Sequence, residues 1–207
     1  MRSLKVSYLA SISRPVMDRF GAAEAKPWDR EAVLLELAGE LGSLAHECQG
    51  WDGFKRERAV LGRLADECSD VLFVLLRLAR ADRLQLPPEV LADTSNGTRF
   101  GNYVLDLLES AAQLRRGPDE ETLCAALRKL AGLCELADID LARAHQREMR
   151  IATEYLLMAT KHWPAPKPWR HPVAAWRIWR LQCLRGEVAT ASTGSTNNSF
   201  SRSGDRS

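Results

Sequence analysis

An all-α fold, a bundle of four or five helices, follows from three features of this 207-residue chain. Apolar residues recur at three- and four-residue intervals through one segment after another, the period of a helix packed on one face. The two-residue alternation of a half-buried strand is nearly absent. Breaks at Gly50 and Gly53, Pro87-Pro88 and Gly117-Pro118 divide the periodic segments into helix-sized lengths.

Residues 1–28 give a short amphipathic helix around Pro15 to Phe20, then a loop holding Lys26-Pro27-Trp28. The early arginines and lysine (Arg2, Lys5, Arg14, Arg19) with no acid before Asp18 faintly resemble an organelle-targeting segment, but an irregular lead-in is the preferred reading. Pro27 stops any earlier helix and Asp29 offers an N-cap. The first long helix then runs to about Glu47 on a stripe of Leu34, Leu37, Leu41 and Leu44. The two glycines of Gln49–Lys55 mark a turn. A second long helix follows from about Glu57 to Ala81, apolar almost all round past Asp70 and so expected at the centre.

Pro88-Glu89 opens a short helix, and Asp93–Phe100 is a polar loop. Further helices cover Tyr103–Leu114, Glu120–Leu136 on a stripe of Leu123, Leu127, Leu130 and Leu133, and Asp140–Lys161. Trp163–Trp169 is a proline-stiffened linker, Val173–Leu184 a last helix, and the chain from Thr190 a disordered tail. Residues 1–160 thus form the bundle, 161–186 a basic Trp-rich segment and 187–207 the tail. Within the bundle, 28–100 bears the motifs and 101–160 weakly echoes it. Leu107–Leu114 parallels Leu34–Leu41, and Lys129–Cys134 parallels Arg63–Cys68, as in a duplicated hairpin whose second copy lost its acids.

The formal charge of +2 implies no general affinity for nucleic acid. Trp163, Trp169, Trp176 and Trp179 interleave with arginines, and a packed C-terminal helix is preferred over a nucleic-acid arm. Five cysteines form no C-x-x-C, which points to free thiols and a reducing, cytoplasmic setting. No apolar run reaches membrane-spanning length.

The chemistry is carried by carboxylates. Glu36 and Glu40 lie four apart on the first long helix, Glu67 and Asp70 three apart on the second, so each pair falls within about 40–60° on its helix. Past Asp70 the side bearing Glu67 and Asp70 continues as Val74 and Leu78, which buries it; buried carboxylates need a counter-charge. Two such helices face to face can hold a divalent cation. All-oxygen ligands favour Mg2+, or Mn2+, over zinc or copper. Iron is disfavoured, since none of His46, His145, His162 or His171 follows a Glu by three residues.

The order Glu36-Leu37-Ala38-Gly39-Glu40-Leu41, a connection, then Glu67-Cys68-Ser69-Asp70-Val71-Leu72-Phe73 resembles the MazG-like all-α nucleoside triphosphate pyrophosphohydrolases, relatives of the dimeric dUTPases. The likeness spans about Trp28 to Phe100. It departs from the family pattern at Leu37, where a metal-binding Glu is usual. Asn96-Gly97-Thr98-Arg99-Phe100 resembles the family's phosphate-contact segment, with Ser95 in place of its Lys. The resemblance implies a magnesium-dependent cleavage of a (d)NTP to (d)NMP and pyrophosphate. Glu36, Glu40, Glu67 and Asp70 would be metal ligands, Glu40 and Glu67 catalytic, and Lys55, Asn96 and Arg99 phosphate contacts. Trp51 and Phe54, lying between the motifs, are candidates for the base. A homodimer is implied unless the second hairpin takes the place of a second copy.

Overall fold

A computed structural model describes residues 3–24, 27–56, 59–95 and 97–162, with side chains as far as Leu157. Six helices dominate: α1 (Val6–Ala23), α2 (Arg30–Trp51), α3 (Leu61–Ala81), α4 (Phe100–Arg116), α5 (Glu120–Leu136) and α6 (Leu141–His162). The all-α expectation holds. The linker, last helix and tail expected after His162, with their tryptophans, lie outside the described residues.

α1 is far longer than the short helix expected around Pro15. Pro15 withholds one ladder bond, its own to the Ser11 carbonyl, yet Val6, Leu9, Val16, Met17 and Phe20 form a buried stripe that carries the helix through it. α2 likewise runs past Gly50, where a turn was expected. It stops at Gly53, whose φ of 81° suits a residue without a Cβ. There the Gly53 N–H donates to the Gly50 carbonyl at 3.2 Å and the Phe54 N–H to the Gln49 carbonyl at 2.9 Å, a Schellman closure. Asp29 caps α2 through its carboxylate, as expected, and Asp119, beside the Gly117-Pro118 break, caps α5 in the same way.

The short helix expected at Pro88-Glu89 is instead extended chain. β2 (Val90–Leu91) pairs antiparallel with β1 (Ser3–Leu4), Ser3 opposite Leu91 and Leu4 opposite Val90. Two features hold it extended: the Ser7 N–H donates to the Pro88 carbonyl at 3.1 Å, and Lys5 pairs with Glu89.

α3 is central, with α2 packed on one side and α6 on another. α2 also packs on α4, α4 on α5, and α1 on α6. The main core gathers around α3; a smaller cluster of Val16, Phe20, Met149, Ala152, Tyr155 and Leu156 joins α1 to α6. Phe20 meets Phe73 edge-on at 6.0 Å, close to that junction. Among the described residues no helix is long and apolar enough to cross a membrane.

Candidate metal centre

α2 and α3 run antiparallel: Arg30 at the start of α2 bonds both carboxylate oxygens of Asp82 just past the end of α3, each at 3.0 Å. This sets Glu40 of α2 opposite Glu67 and Asp70 of α3. One carboxylate oxygen from each lies within 4.8 Å of the other two. Glu40 is 3% exposed and Asp70 4%, while Glu67 is half-buried. Each is placed by its helix. Glu40 neighbours Leu37 and Leu41 on the buried stripe of α2, and Asp70 precedes the fully buried Val71 and Leu72 of α3. Three carboxylates so close cannot all remain ionised without a counter-charge. The spacing fits one hard cation, since ligands about 2.1–2.5 Å from Mg2+ or Ca2+ stand about 3–5 Å from each other.

Glu36 is not in the triad. It lies on the wall of an adjoining cavity of about 30 Å³ shared with Glu40 and Asp70. The rest of that wall is Phe20, Trp28, Phe73, Val74, Met149 and Ala152, with Arg77 the one cation. The Arg77 guanidinium stacks 4.1 Å over the Trp28 ring and donates to both Glu24 oxygens at 2.8 and 2.9 Å. Arg77 thereby ties the α1–α2 connection to α3.

Behind the acids, α6 grips the same turn of α3. Nδ1 of the buried His145 is 2.9 Å from the Ser69 hydroxyl, and Nε2 is 2.7 Å from the Ser13 hydroxyl of α1. Burial pushes the His145 pKa down to about 4, so the ring is neutral at pH 7. Neutral imidazole, with one donor and one acceptor nitrogen, matches two hydroxyl partners. Arg147 pairs with the buried Asp66, and its Nε lies 3.6 Å from the buried Glu148. Sequence reading missed Arg77, His145, Asp66 and Glu148. A signal existed for two of them: His145 and Glu148 share the helical stripe of Leu141, Ala144 and Ala152.

The other substrate candidates gather at the far end of the α2–α3 hairpin. Trp51 lies twelve residues less one beyond Glu40, about 16 Å along the helix axis. It packs on Phe100 at 5.5 Å, and its indole N–H has no hydrogen-bond partner among the described residues. Phe54 is exposed, with Arg99 5.8 Å from its ring. Lys55 donates to the His46 carbonyl at 3.0 Å. Asp52 accepts from the Phe100 and Gly101 N–H groups at 2.9 and 2.8 Å, so a carboxylate already occupies the start of α4. Asn96 lies outside the described residues. The structure brings Glu40, Glu67, Asp70 and, on the cavity wall, Glu36 together, and holds Trp51, Phe54 and Arg99 apart from them. Compared with protein-family models, curated proteins and solved structures, the chain shows no match.

Proposed function

We propose that the protein is a magnesium-dependent nucleotide pyrophosphohydrolase that cleaves a (d)NTP to (d)NMP and pyrophosphate. The convergence of Glu40, Glu67 and Asp70 carries the reading, together with the MazG-like order of residues around them. Glu40, Glu67 and Asp70 would hold the ion, Mg2+ or Mn2+, with Glu36 one turn away; an ion so held would neutralise polyphosphate charge and acidify a water. Glu67 is the most exposed of the three and is the carboxylate best placed to accept a proton from the attacking water. Glu40 and Asp70 are buried on facing helices, which supports a fixed ion position at which a phosphate chain would be met. The aromatic wall of Phe20, Trp28 and Phe73 lies beside the acids, whereas Trp51 and Phe54 do not, but the cavity it lines, about 30 Å³, has room for about one water and would have to open to admit a base.

A second reading rests on Leu37. It is 1% exposed within the core, at the place where the resemblance calls for a metal-binding acid. This favours a catalytically weakened module that binds nucleotide or another protein. Pyrophosphate release from a panel of dNTPs with Mg2+, for the native chain and Glu67→Ala, separates the two. Release that Glu67→Ala reduces by more than about 100-fold supports the enzyme; no release from any dNTP sinks it.

A further inference from the structure

We infer that α6 is a brace for the acidic turn of α3, with His145 as its positioning residue. The inference rests on the metal reading above and concerns what holds Glu67 and Asp70 in place. On α3, Asp66 and Ser69 point one way, and Glu67 and Asp70 are turned from them by about 100°. The first pair is held from behind: Arg147 pairs with Asp66, and His145 Nδ1 stands 2.9 Å from the Ser69 hydroxyl. The second pair is thereby presented to Glu40 of α2. Any roll of α3 that moved Glu67 and Asp70 away from Glu40 would break both contacts behind. The brace is itself anchored, because Nε2 of the same imidazole meets the Ser13 hydroxyl at 2.7 Å, and that hydroxyl reaches the Leu9 carbonyl at 2.8 Å. His145 thus bolts three helices through one ring that is wholly buried. Groups bonded to a metal ligand itself commonly set affinity by about 10–100-fold; here the bonds reach Asp66 and Ser69, the chain neighbours of Glu67 and Asp70, so the lower end of that range applies.

The test is calorimetric titration of the metal-free, full-length protein with Mn2+, alongside thermal unfolding without metal. Ser69→Ala removes one contact with almost no change in volume, and His145→Leu removes both. Each is expected to stay folded at room temperature and to weaken Mn2+ binding by roughly tenfold or more. His145→Gln, which keeps a donor and an acceptor, is expected to recover part of that loss. Leu127→Ala in α5 is the control: it lowers the unfolding temperature and leaves Mn2+ affinity unchanged. Native affinity in both Ser69→Ala and His145→Leu, or an equal loss in Leu127→Ala, overturns the brace alone. Failure of the native protein to take up Mn2+ overturns the metal reading and the brace with it.

Discussion

In the α2–α3 hairpin, the positions turned toward the shared interface carry Glu40, Glu67 and Asp70; at the echoing positions of the α4–α5 hairpin stand Gln113, Leu133 and Leu136. The apolar frame is common to both. Leu41 and Leu114, Leu64 and Leu130, and Cys68 and Cys134 are matched pairs, all buried. Cys68 and Cys134 even meet, thiol to thiol, where α3 touches α5, and burial pushes the Cys68 pKa well up, keeping it protonated. What differs is the layer behind each hairpin. α3 is backed by α6, which offers Arg147 and His145 to it; α5 is backed by the chain from Val90 to Asp93. One matched position shows this directly: Asp66 reaches out to Arg147, while Gly132 is bare so that the Asp93 carbonyl can lie against it. A hairpin can hold clustered carboxylates where a polar third layer supports the turn that bears them, and repacks with leucine where it does not.

The harshest way to break the comparison is to put an acid at the position of the second hairpin that echoes Glu67. Leu133 is 0% exposed within the apolar core, among Leu127, Leu130 and Cys134 of the same buried cluster. Leu133→Glu is expected to cost about 3–5 kcal/mol, the penalty of an uncompensated buried charge, read as a fall in unfolding free energy in urea. A variant as stable as the native chain would show that the α4–α5 hairpin can still take a charge and that the third layer is not what separates the two.

How much of this was visible in the sequence follows the same division. Three of the four paired acids were legible because the pairs obey helical spacing beside a leucine stripe, and α5 was legible through its stripe of Leu123, Leu127, Leu130 and Leu133 after the Gly117-Pro118 break. α2 was cut short because Gly50 looks like a stop; only the hydrogen bonds at Gly53 show which glycine ends the helix. Pro15 hid α1, and two-residue strands leave no alternation to see. Trp51 and Phe54 lie between the motifs in sequence, but the connection is still separated from Glu40 by eleven residues of α2, about 16 Å along its axis. His145 belongs to no motif. Its role depends on which helix covers α3, and that is a matter of topology alone.

Acid should expose the brace more selectively. In the unfolded chain an ordinary imidazole titrates near pH 6.5, while in the folded protein burial holds His145 neutral down to about 4. Between these values the unfolded chain carries the extra proton, so acidification favours unfolding. The contribution is whole above about pH 6.5 and is lost as pH falls toward about 4, on the order of 3 kcal/mol across the window. Urea unfolding at about pH 7 and about pH 5 should show this slope in the native protein and a shallower one in His145→Gln. Equal slopes would remove His145 from the account of acid stability.

The smallest effect is expected at Gly132, and it sharpens the contrast from the other side. A Cβ built there would lie 1.9 Å from the Asp93 carbonyl oxygen and 2.8 Å from Cε1 of Tyr103. Neither neighbour yields easily. The Asp93 N–H is bonded to the Arg128 carbonyl at 3.0 Å, and its carboxylate accepts from Ser95 and pairs with Lys129 at 3.0 Å, which together bring its pKa down to about 2. Gly132→Ala must therefore push the strand-side chain off α5, at about 1–3 kcal/mol. For a chain of this size that is a fall of roughly 2–12 °C in unfolding temperature. Because the displaced segment backs α5 and not α3, Mn2+ affinity should be unchanged. Loss of affinity in Gly132→Ala would mean that the two hairpins share their support, and the acids on α3 would then depend on both outer layers.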